Sequence, residues 1–275
     1  MTLQPEPVRG GLEAADLERV AELEAECVRH DGVRLKLEWS ELRQRPAEHV
    51  NDWVCRDGDR VVAFCGLYSF QAGQFEVCGM VAPGFRRRGV ARSLFAAMLE
   101  QARSRPSVLL LLVVDRAGAF AAAVGATYHH SEHSMRLTER PTGPTGLTMR
   151  QADLADAPFV AACLGDAFGV GPDWTMPDPA RRPITLFFEG SRPVATIHVA
   201  HEEGVARLYG FVVPAELRGQ GYGGQALRLI VGALLDAGHP AVELEVATAN
   251  ESALSLYRRS GFALVSTIDY HAVPR

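Results

Sequence analysis

Lysine is almost missing: Lys36 is the only one in 275 residues, so arginine carries nearly all of the positive charge. With 28 basic against 33 acidic side chains the formal charge is -5, and the chain lacks the basic excess that nucleic acid or an anionic membrane would attract. Long apolar runs are missing too. The longest, "VLLLLVV" from Val108 to Val114, falls far short of the roughly 20 residues that cross a bilayer. The opening "MTLQPEPVRG" has neither the basic nor the apolar region of a secretory signal. A cytoplasmic location is expected, with no nucleic-acid and no membrane partner. The five cysteines (Cys27, Cys55, Cys65, Cys78, Cys163) form no CxxC pair, which argues against a zinc site or a disulfide framework; they read as small buried hydrophobes. In "YHHSEHSM" the alternation of a strand would put His130 and His133 on opposite faces, so His129, His130 and His133 are not expected to hold a metal.

What is there is a repeat. At 47% hydrophobic and 22% charged residues the chain is globular, and its length suits two ordinary domains. "RPTGPTG", Arg140 to Gly146, has the composition of a linker and divides the sequence nearly in half. "PVRGGLEAADLERVAELEAECV" before it and "LTMRQADLADAPFVAACLGDAF" after it both read as a short strand, a polar turn and an amphipathic helix. "GDRVVAFCGLYSFQAGQFEVCGMV" and "GSRPVATIHVAHEEGVARLYGFVV" both read as a hairpin. Each is followed by a Pro-containing loop, a glycine, a long helix and an apolar strand. The expected fold is a mixed α/β unit built twice, with domains over 1–139 and 147–275 and a linker over 140–146.

The stretch "LRGQGYGGQAL", Leu217 to Leu227, places four glycines ahead of a helix. Glycines there let a ligand approach the backbone, and the unpaired N–H groups of a first helical turn suit a phosphate. Gly219-x-Gly221-x-x-Gly224 matches the dinucleotide fingerprint GxGxxG, with Glu243 and Glu245 downstream, and a nicotinamide-dependent enzyme is one reading. The repeat favours another. "VAPGFRRRGVARSL" aligns with "VPAELRGQGYGGQAL" through Val81 and Val213, Arg86 and Arg218, Gly89 and Gly221, Ala91 and Gly223. What the halves share is V-x-x-x-x-R-x-x-G-x-[G/A].

In that loop both halves resemble the GCN5-related N-acetyltransferase superfamily, and the likeness spans nearly the whole chain outside the linker. It implies two tandem acyl-CoA N-acyltransferase domains with acetyl-CoA as cofactor. It implies that Phe211, Val212 and Val213 pair with the pantetheine arm, and that the backbone of Arg218, Gly219, Gln220, Gly221, Tyr222, Gly223 and Gly224 holds the pyrophosphate, Arg218 adding charge. In the first half these roles pass to Gly79, Met80 and Val81, and to Arg86, Arg87, Arg88, Gly89, Val90, Ala91 and Arg92.

Acyl transfer to an amine needs a base for the amine and a proton for the departing thiolate. "LEVATANESALSLYRRSGF", Leu244 to Phe262, resembles the pattern of ribosomal-protein N-terminal amine acetyltransferases. The likeness implies Glu245 as general base, Asn250 as a pantetheine contact and Tyr257 as general acid; Glu202 and Glu203 are fallback bases. Aligned by sequence, the first half has Leu111 in place of Glu245 and only Phe120 near the expected tyrosine. It is therefore expected to be catalytically silent while its loop keeps the means to bind acyl-CoA. By the same likeness Trp174, Met176 and Asp178 are candidate substrate contacts. The expected function is transfer of an acetyl group to a primary amine by direct attack, on a small-molecule or peptide acceptor, by a monomer or homodimer. A non-catalytic acyl-CoA-binding regulator is the alternative from another class. The degenerate tandem layout also resembles mycothiol synthase.

Overall fold

Each half opens with a short strand and an amphipathic helix, as its periodicity predicts. The computed structural model describes residues 3–46, 48–71, 73–104, 109–114, 118–169, 183–202 and 204–274. The first series is β1 (Glu6–Arg9), α1 (Ala14–Asp31), α2 (Trp39–Leu42), β2 (Val50–Asp57), β3 (Arg60–Gln71), β4 (Gln74–Val81), α3 (Val90–Arg103), β5 (Leu109–Val114), α4 (Gly118–Ala123) and β6 (Thr127–Leu137). The second is β7 (Thr148–Gln151), α5 (Ala157–Phe168), β8 (Ile184–Glu189), β9 (Arg192–Glu202), β10 (Val205–Val212), α6 (Tyr222–Asp236), β11 (Ala241–Ala247), α7 (Glu251–Arg259) and β12 (Phe262–Ala272). Helix α1 buries Val20, Leu23 and Cys27 at helical spacing, and ends where Gly32 turns left-handed (φ 65°) and returns its N–H to Val28. Helix α5 ends the same way at Gly169.

The chain divides into two compact units, one of residues 1–131 with 268–275 and the other of 132–267. In the first, β1, β2, β3 and β4 pair antiparallel in chain order. β5 then joins β4 in parallel, and the Asp269–Ala272 end of β12 pairs antiparallel with β5. The second unit repeats this with β7 to β11, and its antiparallel partner for β11 is the Glu132–Arg136 part of β6. β6 thus begins in the first unit and ends in the second, while β12 does the reverse. The unit limits differ from the 1–139 and 147–275 read from sequence, because they fall inside two strands that no break in composition marks. The Pro/Gly-rich 140–146 lies within the second unit, tied to α6: Arg140 pairs with Asp236, Gly146 N–H donates to Gln225 Oε1 (2.9 Å), and Arg228 donates to the Pro144 carbonyl (3.1 Å).

What positions the candidate sites is an opening between parallel strands. β10 pairs with β11 only from Val205–Ala241 to Leu208–Leu244, although β10 runs on to Val212 and β11 to Ala247. β10 is bulged over Tyr209 to Val212, where Gly210 takes φ 55°. In the first unit β4 and β5 pair from Gln74–Leu109 to Val77–Leu112 and then part in the same way. Each parting leaves strand-edge N–H and C=O groups to be satisfied by something else.

Candidate functional site

Beyond β10 a short 3₁₀ turn, Ala215–Leu217, leads to Arg218, and α6 begins after Gly221. Gly219 and Gly221 have φ of 78° and 86°, and a Cβ added at either would meet nothing within 4 Å. These two glycines therefore serve the left-handed turn, and the space above them is open. Gly221 is the helix N-cap and offers no side-chain cap to the first-turn N–H groups, the kind of helix start that suits an anion. The first unit copies the turn: Pro83–Phe85 is the 3₁₀ turn, Gly89 (φ 82°) caps α3, and Arg87 (φ 63°) replaces Gly219. Arg87 is the only non-glycine with positive φ among the described residues.

The arginine opening each motif holds the loop together. Arg218 Nε donates to the Val213 carbonyl at 2.9 Å and Nη2 to Asp166 at 3.0 Å. Arg86 Nε donates to the Val81 carbonyl at 2.9 Å, and its other two nitrogens grip both carboxylate oxygens of Asp31 at 2.7 Å. That grip draws the Asp31 carboxyl down from 3.8 to about 2. The charge expected to reach a pyrophosphate directly is in both loops shared with an aspartate.

The other described residues singled out in the second unit lie on the loop, on α6 and α7 and on strands β9, β10 and β11. Gly223 lets α6 approach α7: a Cβ there would stand 3.0 Å from Leu256 Cδ2, beside Tyr257. Tyr222 is anchored inward, its hydroxyl donating 2.7 Å to Glu189, so its part in the loop is its backbone N–H. Gln220 Nε2 donates to the Glu216 carbonyl. Phe211 and Val213 pack on the core edge and Val212 is buried. Asn250 caps α7, its Oδ1 accepting from Ala253 N–H at 3.1 Å, which leaves its amide NH₂ for another acceptor. Tyr257 is 8% exposed, edge-on to Phe262, and burial pushes its phenol up to about 12. Glu245 is half-buried on β11 opposite Ser134 of β6. It lines a small cleft with Ser134, Arg207, Tyr209, Glu243 and Leu244. Glu243, two residues earlier on that face, is buried and held by Arg136 (2.8 Å) and Arg207 (3.6 Å). Ser134, Arg207 and Tyr209 were not legible as site residues, because only the sheet register sets them beside Glu245.

In the first unit the strand opening is a cavity of about 540 Å³, reaching from Arg86 and Ala91 past Gly79, Met80 and Val81 to Phe64, Leu112 and Ile268. Here the register corrects the sequence alignment. Counted from the last paired residues, Leu112 and Leu244, it is Val113 rather than Leu111 that stands where Glu245 does; sequence spacing across an indel cannot fix strand register. Neither residue is a base, and Phe120 lies on α4. Arg88 lies over the Phe85 ring, 5.4 Å from its centroid, while Val90 is buried in the first turn of α3, ahead of Arg92. Cys27, Cys65 and Cys78 line the cavity, and burial raises all three thiols, Cys78 to about 12, so none is a thiolate nucleophile there.

Trp174, Met176, Asp178 and Glu203 lie outside the described residues. His129 and His130 touch through Nδ1 at 2.8 Å, whereas His133 bonds Thr267, in keeping with opposite faces. Among the described residues no helix is long and apolar enough to cross a membrane.

The acetyltransferase (GNAT) family matches this chain twice, over residues 16–125 and 152–262. A mycothiol acetyltransferase of Kineococcus radiotolerans is 30% identical, covering 100% of this chain and 97% of its own. Another, from Thermomonospora curvata, is 31% identical over 92% of each. Among solved structures, a GCN5-related N-acetyltransferase from Sphaerobacter thermophilus has a TM-score of 0.78 at 20% identity, covering 98% of this chain and 94% of its own. A tandem GNAT protein from the clavulanic acid biosynthesis pathway has a TM-score of 0.72 at 20% identity, with 100% of both chains covered. At such identities the structural likeness speaks for the fold, two tandem units of mixed α/β architecture. The dinucleotide reading of Gly219, Gly221 and Gly224 falls with these matches, since the glycines follow a 3₁₀ turn at an opened strand rather than a strand leading directly into its helix.

Proposed function

Because the chain belongs to the acetyltransferase (GNAT) family and is an acetyl-CoA-dependent N-acetyltransferase, we propose that the second unit carries the chemistry and that the first binds acyl-CoA without acetylating the substrate amine. The observation that carries this is Tyr257: a buried phenol that stays protonated at neutral pH, on the helix that Asn250 caps, with Phe120 the nearest aromatic in the matching part of the first unit.

The residues fit acetyl-CoA in both units: open space over left-handed glycine caps, unpaired first-turn N–H groups, and parted strand edges. In the second unit the N–H groups after Gly221 hold the pyrophosphate, the Phe211 to Val213 edge orients the pantetheine arm, and Asn250 donates from its amide. Acetyl-CoA supplies the acetyl thioester. Glu245 takes the proton of the acceptor amine, directly or through a water, and Tyr257 holds at its Oη the proton that the departing sulfur requires. A backbone N–H near Val213 is the donor for developing negative charge.

The acceptor is a small amine. The names of the relatives over nearly the full chain make mycothiol lacking its acetyl group the first candidate. The test is acetyl transfer to that amine, to aminoglycosides and to peptide N-termini by wild type and by a Tyr257→Phe, Glu245→Gln double variant. Undiminished turnover in the variant would refute the assignment of residues; transfer only to peptides would refute the small acceptor.

A further inference from the structure

The chain's single lysine lies in the wall of the first unit's cavity. Lys36 follows α1 in the segment that covers the parted strands, and its side chain is only 12% exposed. Its Nζ lies 3.4 Å from the Glu76 carboxylate and 2.5 Å from the Tyr270 hydroxyl. Glu76 precedes Val77, the last β4 residue paired with β5, so the amine sits at the apex of the opening. Val81, where the loop begins, is four residues along the same strand from Val77, about 13 Å at strand rise. Tyr270, on β12, is pinned by the His130 ring stacked 4.2 Å from it. An amine in the cavity wall therefore meets a carboxylate and a phenol at the apex of the opening, and the same cavity reaches Arg86 and Ala91 on the glycine-capped loop.

From this we infer that Lys36 is an acyl acceptor, and that the first unit acylates itself on that one residue from bound acyl-CoA. This rests on the proposal that the first unit binds acyl-CoA. Glu76 takes a proton from the Lys36 ammonium, and the freed amine attacks the thioester carbonyl. The C–S bond breaks once the C–N bond has formed, Tyr270 gives its proton to the departing thiolate and is reprotonated by the second proton that the nitrogen loses, and the proton held on Glu76 leaves to water. The products are Nε-acyl-Lys36 and free CoA. The unit is silent toward a diffusing amine because its own lysine occupies the acceptor position.

The chain is incubated with acetyl-CoA and followed by intact mass and peptide mapping, which separates Lys36 from the N-terminus. The expected result is one acetyl group on Lys36, gained at a rate that saturates with acetyl-CoA. It is absent from Lys36→Arg and about 100-fold slower in Glu76→Gln, the loss of a general base. Tyr270→Phe, which keeps the ring, is slowed as well and serves if Glu76→Gln fails to fold. In parallel, a Gly221→Asp chain, with a carboxylate set against the second unit's loop, is titrated calorimetrically with acetyl-CoA to read the first unit alone. One equivalent bound without acetyl-Lys36 overturns the inference and leaves the binding proposal standing. No binding overturns both. Acetylation of Lys36 at an equal rate in the urea-unfolded chain marks ordinary chemical acetylation and also overturns the inference.

Discussion

Arg218 donates from Nε to the carbonyl oxygen of Val213 at 2.9 Å, closing the loop back onto the strand from which it departs. Arg86 and Val81 repeat that bond at the same length in the first unit. If the loop holds the cofactor as proposed, loss of this bond is expected to weaken binding. Arg218→Ala should weaken acetyl-CoA binding in the second unit about 10-fold, the worth of one charged hydrogen bond of about 1.5 kcal/mol. Arg218→Gln, which can still donate to Val213, should recover most of it. The Asp166 pair is half-exposed and adds little. Calorimetric titration checks this, and equal affinity for Ala and wild type would remove the loop-closing role.

Tyr257→Phe should lower kcat by about 100-fold or more while acetyl-CoA affinity holds, because only the proton donor is removed and the ring keeps its packing on Phe262. Steady-state kinetics beside a binding titration separates the two. A fall in affinity with kcat intact would make Tyr257 a packing residue.

The raised phenol has a consequence for pH. A group whose acid form is favoured keeps its proton to higher pH, so the Tyr257 phenol stays protonated past the ordinary 10 and loses its proton only toward about 12. The pH profile of kcat should show no alkaline loss from Tyr257 in the mildly basic range. A limb near 10 in wild type that vanishes in Tyr257→Phe would contradict the burial.

Asp31 moves the opposite way. Its carboxyl is held down to about 2 by Arg86, below the 3.8 of a free aspartate. The pair therefore stabilises the fold fully above about pH 4, and that contribution drains away as pH falls from 3.8 toward 2. Asp31→Asn should be less stable than wild type near neutrality and indistinguishable from it at the acid end of that window. Urea unfolding at the two pH values tests it; a constant deficit would point to lost geometry rather than lost charge.

Gly261 has φ 87°, and a Cβ on it would strike the Glu139 carbonyl oxygen at 2.2 Å. Its own carbonyl accepts from Thr138 N–H and Oγ1 at the start of β12. Gly261→Ala must move that backbone as well as adopt a left-handed conformation, at a cost on the order of 2–4 kcal/mol. Thermal melts of the purified variant measure it, and a shift of a degree or less would mean the segment yields freely.

Much of this was legible beforehand where local spacing carries the signal. The paired hairpins, the opening strand and amphipathic helix of each half and the glycines ahead of the helices at Gly89 and Gly221 each depend on residues a few positions apart. Local patterns could not show that Arg218 turns its charge to Val213 and Asp166, which follows from how α5 packs beside the loop, or that Val113 rather than Leu111 matches Glu245, which follows from strand register.

The sequence by itself therefore determined the duplication, the mixed α/β units and the two glycine turns ahead of their helices, because periodicity and turn chemistry are written in near neighbours. Tertiary structure decided which groups meet. It carried the end of β12 to the first unit and the end of β6 to the second. It brought Lys36, Glu76 and Tyr270 together from a loop and two strands. No local pattern encodes such a meeting, since it is set by the packing of strands and loops far apart in the chain.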